Sequence, residues 1–257
     1  MCFKNSNLFF GLSTATLLLL VAPGHAAPIT FSGSSGSLSA SVTFDVSGTD
    51  LLVTLTNTSA GDPSAPGNIL TGVIFSIPGN TLLGKASATV CATCSVKNNG
   101  GVPGAGGDVG GEWAYTNVLS GAFVGQQSIY SSGYFDGNAT FNANNLQGPA
   151  SVDGIQYGIT TTSDTAGNDN GGLSGNGEIV NAVNFDLSGL PQGFTLASIS
   201  GVSFQYGTGL DETNYKGDCT PGTPNCGGGG NFVPEPASLA LLGAALLGVS
   251  GLGRRRS

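Results

Sequence analysis

From Leu38 to Val46 the chain alternates without a fault. Leu38, Ala40, Val42, Phe44 and Val46 fall on one side, and Ser39, Ser41, Thr43 and Asp45 on the other. Successive side chains of a strand point to opposite faces, so this pattern is a half-buried β-strand. Ser47-Gly48-Thr49-Asp50 makes a turn, and Leu51–Asn57 returns as the hairpin partner. Val73–Ile77 is a further strand, stopped by Pro78-Gly79, and Leu82–Val96 holds one or two more. Leu119–Leu146 reads as short strands in long loops. Alternation resumes in Val152–Ile159 and in Val202–Tyr206. Ile179, Val183, Phe185 and Leu187 alternate too, with Asn181 the exception. Between the apolar runs near either end, no stretch of about a dozen residues carries helical spacing. Short strands separated by Gly/Pro turns predict an all-β fold. The expected architecture is an antiparallel β-sandwich, a jelly roll being one such arrangement, with helices only in an N-terminal signal and a C-terminal membrane segment.

Charge narrows the chemistry. Between Ala27 and Val233 three lysines (Lys85, Lys97, Lys216) face eleven aspartates and three glutamates, a formal charge of −11. That body has neither Arg nor His. It therefore lacks a Ser-His-Asp or Cys-His apparatus, His-ligated metal and a bidentate phosphate clamp. Its acidic field repels nucleic acid, so no nucleic-acid partner is expected. Asn98–Gly111 is rich in glycine but has no Lys and opens no helix, which excludes a phosphate cradle. Oxygen-rich loops suit hard cations such as Ca²⁺, or simply solubility.

Both ends carry sorting chemistry. Lys4, an apolar run Leu8–Val21, and Gly24-His25-Ala26 form a secretory signal, with cleavage expected between Ala26 and Ala27. Sec export machinery and signal peptidase are the implied partners. At the other end Val233-Pro234-Glu235-Pro236 precedes an apolar run at 237–253, followed by Arg254-Arg255-Arg256. As a helix that run spans roughly 25 Å, near the short limit for a bilayer core. The three arginines prefer the cytoplasmic side. A plain anchor or a core helix is the simpler reading, but arginines directly after an apolar run suit a membrane stop. The expected organisation is a signal peptide at 1–26, a β-sandwich body at 27–215, a Gly/Pro-rich linker at 216–232 and a sorting signal at 233–257.

Pro234-Glu235-Pro236, the short apolar span and the arginine cluster together resemble the PEP-CTERM sorting domain of exported Gram-negative proteins. The same kind of tail is also labelled an ice-binding protein C-terminal domain, a label that gives the body no activity. The resemblance implies processing by exosortase, recognition at Pro234-Glu235-Pro236, and a stay in the inner membrane before transfer to the surface or matrix. Three body segments extend it: Gly110-Gly111-Glu112-Trp113-Ala114-Tyr115, Gly148–Gly158 and Val202–Thr208. They look like one family of exosortase-dependent surface proteins, a similarity that adds location and no mechanism.

Cys91, Cys94, Cys219 and Cys226 remain once Cys2 leaves with the signal. Outside the cytoplasm an even count reads as two disulfides. Three pairings exist, and the local ones, Cys91–Cys94 and Cys219–Cys226, are favoured because each pair shares one loop-like segment. The compartment argues against a four-cysteine zinc site, and no helix follows Cys91 to make a redox motif. Asp164, Asn168, Asp169 and Asn170 form the candidate metal site, set against a plain polar loop; their spacing is not that of an EF-hand. Asp211, Glu212 and Asp218 form a second acidic loop. Glu112 beside Trp113 and Tyr115 suggests a sugar platform, with a core anchor as the plainer role. Asn57-Thr58-Ser59 and Asn138-Ala139-Thr140 are glycosylation-acceptor patterns.

The expectation is a non-enzymatic surface or matrix protein tied to exopolysaccharide or biofilm, with no cofactor. A glycan- or Ca²⁺-binding module and a carboxylate-based secreted hydrolase are the alternatives.

Overall fold

The computed structural model describes residues 26–97, 103–119, 121–131, 145–147, 155–164, 172–220 and 226. Fourteen strands appear in order: β1 (Ile29–Ser35), β2 (Leu38–Ser47), β3 (Asp50–Asn57), β4 (Leu70–Ser76), β5 (Gly84–Val90), β6 (Ser95–Lys97), β7 (Ala114–Thr116), β8 (Gln127–Tyr130), β9 (Ile159–Thr160), β10 (Glu178–Val180), β11 (Ala182–Ser188), β12 (Ser200–Tyr206), β13 (Asn214–Lys216) and β14 (Asp218–Cys219). Among the described residues there is no α-helix, and no helix is long and apolar enough to cross a membrane. Residues 1–25 of the expected signal peptide, the apolar segment 237–253 and Asn138 lie outside the described residues.

The strands form two sheets. The first runs β14-β1-β2-β3-β11-β5. The second runs β13-β12-β4-β9-β10-β6, with β8 also on β4 and β7 on β8. The β2–β3 hairpin forms as its pattern predicts. Leu38, Ala40, Val42 and Phe44 are buried, as are Leu51, Val53 and Leu55 opposite them. Gly48 takes φ 63° in the two-residue turn between Ser47 and Asp50, a conformation glycine adopts without a Cβ clash. The buried face meets the second sheet through Phe44 and Phe75, whose ring centroids lie 5.1 Å apart. One apolar core draws residues from both sheets.

Two strand pairs run from one sheet into the other. β5 pairs with β11 in the first sheet, and β6 pairs with β10 in the second, both antiparallel. The chain passes from β5 to β6 through Cys91–Cys94, and from β10 to β11 through Asn181, which sits at φ 83°. Asn181 was the one residue out of phase in its segment, and it marks the change of sheet. Its N–H donates to the Thr160 carbonyl in the second sheet (3.0 Å), and its carbonyl accepts the Asn57 N–H of the first (2.9 Å). The Asn57 side chain adds a second tie, donating to the Ile159 carbonyl (2.8 Å) while its Oδ1 accepts the Ser59 N–H (3.1 Å).

Several expectations change. Residues Lys216–Thr220 are not linker: Lys216 closes β13, and β14 pairs with β1, so the body extends past 215. β9 and β10 run parallel, which the long connection 161–177 allows, whereas a tight turn could not. Within 155–162 only Ile159–Thr160 forms a strand. The described part of the Gly-rich loop covers the edge of β5. Val90 N–H donates to Gly107, Gly106 N–H to Val90 and Val109 N–H to Ala88, each at 2.9 Å. Asn57 is buried, with its amide engaged, so its glycosylation pattern is closed in the folded body.

Phe44→Ala is expected to destabilise the body by about 3–5 kcal/mol, the cost of emptying a well-packed aromatic site. Denaturant unfolding should show a lower midpoint at an unchanged slope.

Candidate functional site

The start and the end of the described body meet at one sheet edge. Ala26 and Ala27 stand just before β1, and Ala26 is exposed. β14 pairs with β1 in the register Phe31–Cys219 and Ser32–Asp218, and the Thr220 N–H donates to the Thr30 carbonyl (2.9 Å). Cys219 is bonded to Cys226, with Cα atoms 5.5 Å apart, and Cys226 Sγ lies 3.8 Å from the Thr30 carbonyl oxygen. The C-terminal end of the body is therefore stapled beside β1, the first strand. Gly33 permits this closeness, because a Cβ there would collide with the Lys216 carbonyl. Val233, Pro234, Glu235, Pro236 and Arg254–Arg256 lie outside the described residues.

A second feature lies in the interior. Lys97, at the end of β6, is 7% exposed, and its Nζ contacts Asp164 Oδ1; the Asp164 side chain is 2% exposed. Thr160 Oγ1 donates to the other oxygen, Oδ2. Glu178 of β10 is fully buried and stands directly opposite Lys97 in the antiparallel register. Facing pairs in such a ladder share one side of the sheet, with Cβ atoms about 5 Å apart. Burial, above all, holds the Asp164 carboxyl above the ordinary carboxylate range; a contact with Asp62 pushes the same way, against Lys97 and Thr160. One of only three body lysines is thus spent inside a group of carboxylates. Burying ions costs more than their attraction returns unless the geometry is excellent.

This placement changes the reading of Asp164. Its carboxylate faces Lys97 rather than an open cation loop. Asn168, Asp169 and Asn170 lie outside the described residues, and among the described residues no cluster of three acidic, His or Cys side chains could hold a metal. Glu212 closes its own loop: it accepts the Thr208 N–H and hydroxyl and the Gly209 N–H. Trp113 is fully buried, donates from Nε1 to the Tyr157 carbonyl (3.1 Å), and packs its ring 4.9 Å from that of Phe185. It is a core anchor and offers no exposed platform to a sugar. Both disulfides join the local partners, Cys91 to Cys94 and Cys219 to Cys226.

Tyr115 is buried, donating to Gln127 Oε1 (2.6 Å) and accepting the Leu83 N–H (3.1 Å). Burial pushes its phenol from 10.0 up to about 12. The fold therefore favours the neutral phenol. That stabilisation is complete below pH 10 and is lost as pH rises from there through about 12. Alkaline absorbance titration should show a late-ionising tyrosine that Tyr115→Phe removes. Cys219→Ser with Cys226→Ser should cost about 2–3 kcal/mol, the value of closing so short a loop. Limited proteolysis should then cut the tail root near Thr220 faster than in the parent.

Residues 232–256 match the family model described as the PEP-CTERM protein-sorting motif. No curated protein and no solved structure matches the chain. The matched segment begins six positions after Cys226, immediately beyond the stapled end of the body. The chain carries a PEP-CTERM protein-sorting motif at its C-terminal end, and that motif implies exosortase as its processing partner and export to the cell surface.

Proposed function

We propose that this chain is a non-enzymatic surface or matrix protein of a Gram-negative bacterium, whose acidic β-body serves in exopolysaccharide or biofilm. The observation that carries this reading is the sorting motif at 232–256, set directly behind a disulfide-closed body. In this account Sec exports the chain and signal peptidase cuts between Ala26 and Ala27. The apolar run at 237–253 then holds the chain in the inner membrane, with Arg254–Arg256 on the cytoplasmic side. Exosortase recognises Pro234-Glu235-Pro236 and releases the body. Cutting there removes every arginine of the chain and leaves the acidic domain alone. The composition supports a non-enzymatic role, since the body supplies neither His nor Arg to a catalytic set.

A glycan-binding role is the second reading. A cleft of about 560 Å³ on the second sheet is lined by Phe123, Gln126, Asn214, Lys216 and Asp218 among others. An aromatic ring with amide and charged groups suits sugar hydroxyls. Binding of polysaccharide by the purified protein, weakened by Gln126→Ala, supports this reading; an empty glycan array rejects it.

Deleting the exosortase is expected to leave the protein in the inner-membrane fraction with its tail attached, seen as a heavier band retaining the 232–256 peptide. Arrival at the surface, uncut, in the deletion strain overturns the sorting mechanism.

A further inference from the structure

We propose that Lys97 and Asp164 are joined by an intramolecular amide bond, formed by the folded body itself with Glu178 as the proton carrier. The geometry supplies the reactants. Lys97 Nζ touches a carboxyl oxygen of Asp164, and both side chains are shut away from solvent. Thr160 holds the other carboxyl oxygen from β9. β10 stands between β6 and β9, and it places the buried Glu178 opposite Lys97. The amine, the acid and a second carboxyl are thus brought together by β6, β10 and the turn that follows β9.

The reaction is a condensation without redox change. The neutral Lys97 amine attacks Asp164 Cγ, forming a C–N bond and a tetrahedral centre. Glu178 takes the proton that the nitrogen sheds and passes it to a carboxyl oxygen. The C–O bond then breaks, and water leaves. One ammonium and one carboxylate become one amide and one water, so no co-reactant is required.

The surroundings favour each step. Burial disfavours the charged carboxylate and raises the share of Asp164 in its acid form. The Asp164 carboxyl is already raised by burial and by its contact with Asp62, an exposed residue on the loop beside it. The Thr160 hydroxyl, donating to Oδ2, can stabilise charge that develops on that oxygen. Fixing the reacting groups in contact supplies an effective concentration of about 10⁵–10⁸ M. Exclusion of water opposes the reverse hydrolysis. The product removes a buried ion pair and leaves a neutral amide. It also ties the end of β6 to the turn after β9, residues 67 positions apart in the chain.

Mass spectrometry of the protein isolated from exporting cells tests this directly. After reduction of the disulfides and chymotryptic digestion, the expected species is a branched peptide carrying both Lys97 and Asp164, lighter by one water than its two parts. Trypsin should fail to cut after Lys97. On a reducing denaturing gel, Lys97→Met and Asp164→Ala should each migrate differently from the parent, because the internal loop is no longer closed. Recovery of Lys97 and Asp164 in separate, unmodified peptides from the parent protein overturns the bond, whatever the variants do. Glu178→Gln, checked for folding by near-ultraviolet circular dichroism, should yield the unlinked peptides. A folded Glu178→Gln protein that still forms the branched peptide overturns the role given to Glu178.

Discussion

The double crossing between sheets is the constraint on which the rest of the body depends. Two antiparallel pairs, β5 with β11 and β6 with β10, belong to different sheets, yet each chain continues from one pair into the other. Both crossings occur side by side, since the Cys91 N–H donates to the Ala182 carbonyl (3.3 Å). One crossing is closed by a disulfide and the other by Asn181 in a left-handed conformation. Asparagine tolerates that region better than β-branched or bulky residues do. Because the bend is fixed, the inner faces of the two sheets stay in register to share Phe44, Phe75, Trp113 and Phe185. The same bend sets Lys97 and Glu178 opposite each other just beyond it.

What was legible in the sequence follows from how local the signal is. β2 and β3 were legible because alternation and a glycine turn are written within one hairpin. The change of sheet left a trace in Asn181, the residue out of phase, although its meaning needs Thr160 and Asn57, which are remote in sequence. β14 left no trace. Two residues between glycine and threonine carry no period, and only the free edge of β1 makes them a strand. The Lys97–Asp164 contact was equally hidden, since an isolated lysine reads as a solvated charge until tertiary structure buries it. Trp113 was legible as a core anchor, because a carboxylate neighbour in sequence does not expose a ring.

The acidic surface and the buried lysine express one economy of charge. With fourteen carboxylates and three lysines, the body cannot neutralise itself by surface pairing. Exposed carboxylates keep it soluble through mutual repulsion, at some cost to the compact state. Hydrophobic burial between the sheets must offset that repulsion, helped by ties that link remote strands, among them the bond from the Asn57 amide to the Ile159 carbonyl.

The edges of the sheets are short or covered. An open strand edge invites pairing with another chain, and short or covered edges prevent it. β14 has two residues, and β13 and β6 have three each. β5, with seven, is the long edge, and the loop through Gly106 and Gly107 occupies it. The glycines matter here because Gly106 takes φ 75° and a Cβ on Gly107 would collide with Pro103. A body built this way can be released from its tail without exposing a long unpaired strand. The β1–β14 edge ends in the Cys219–Cys226 staple, which holds the last described strand in place. Sorting chemistry and folding stability are thus separated along the chain. The staple anchors β14, and the buried residues of the core that closes on Phe44 and Trp113 all lie on its N-terminal side.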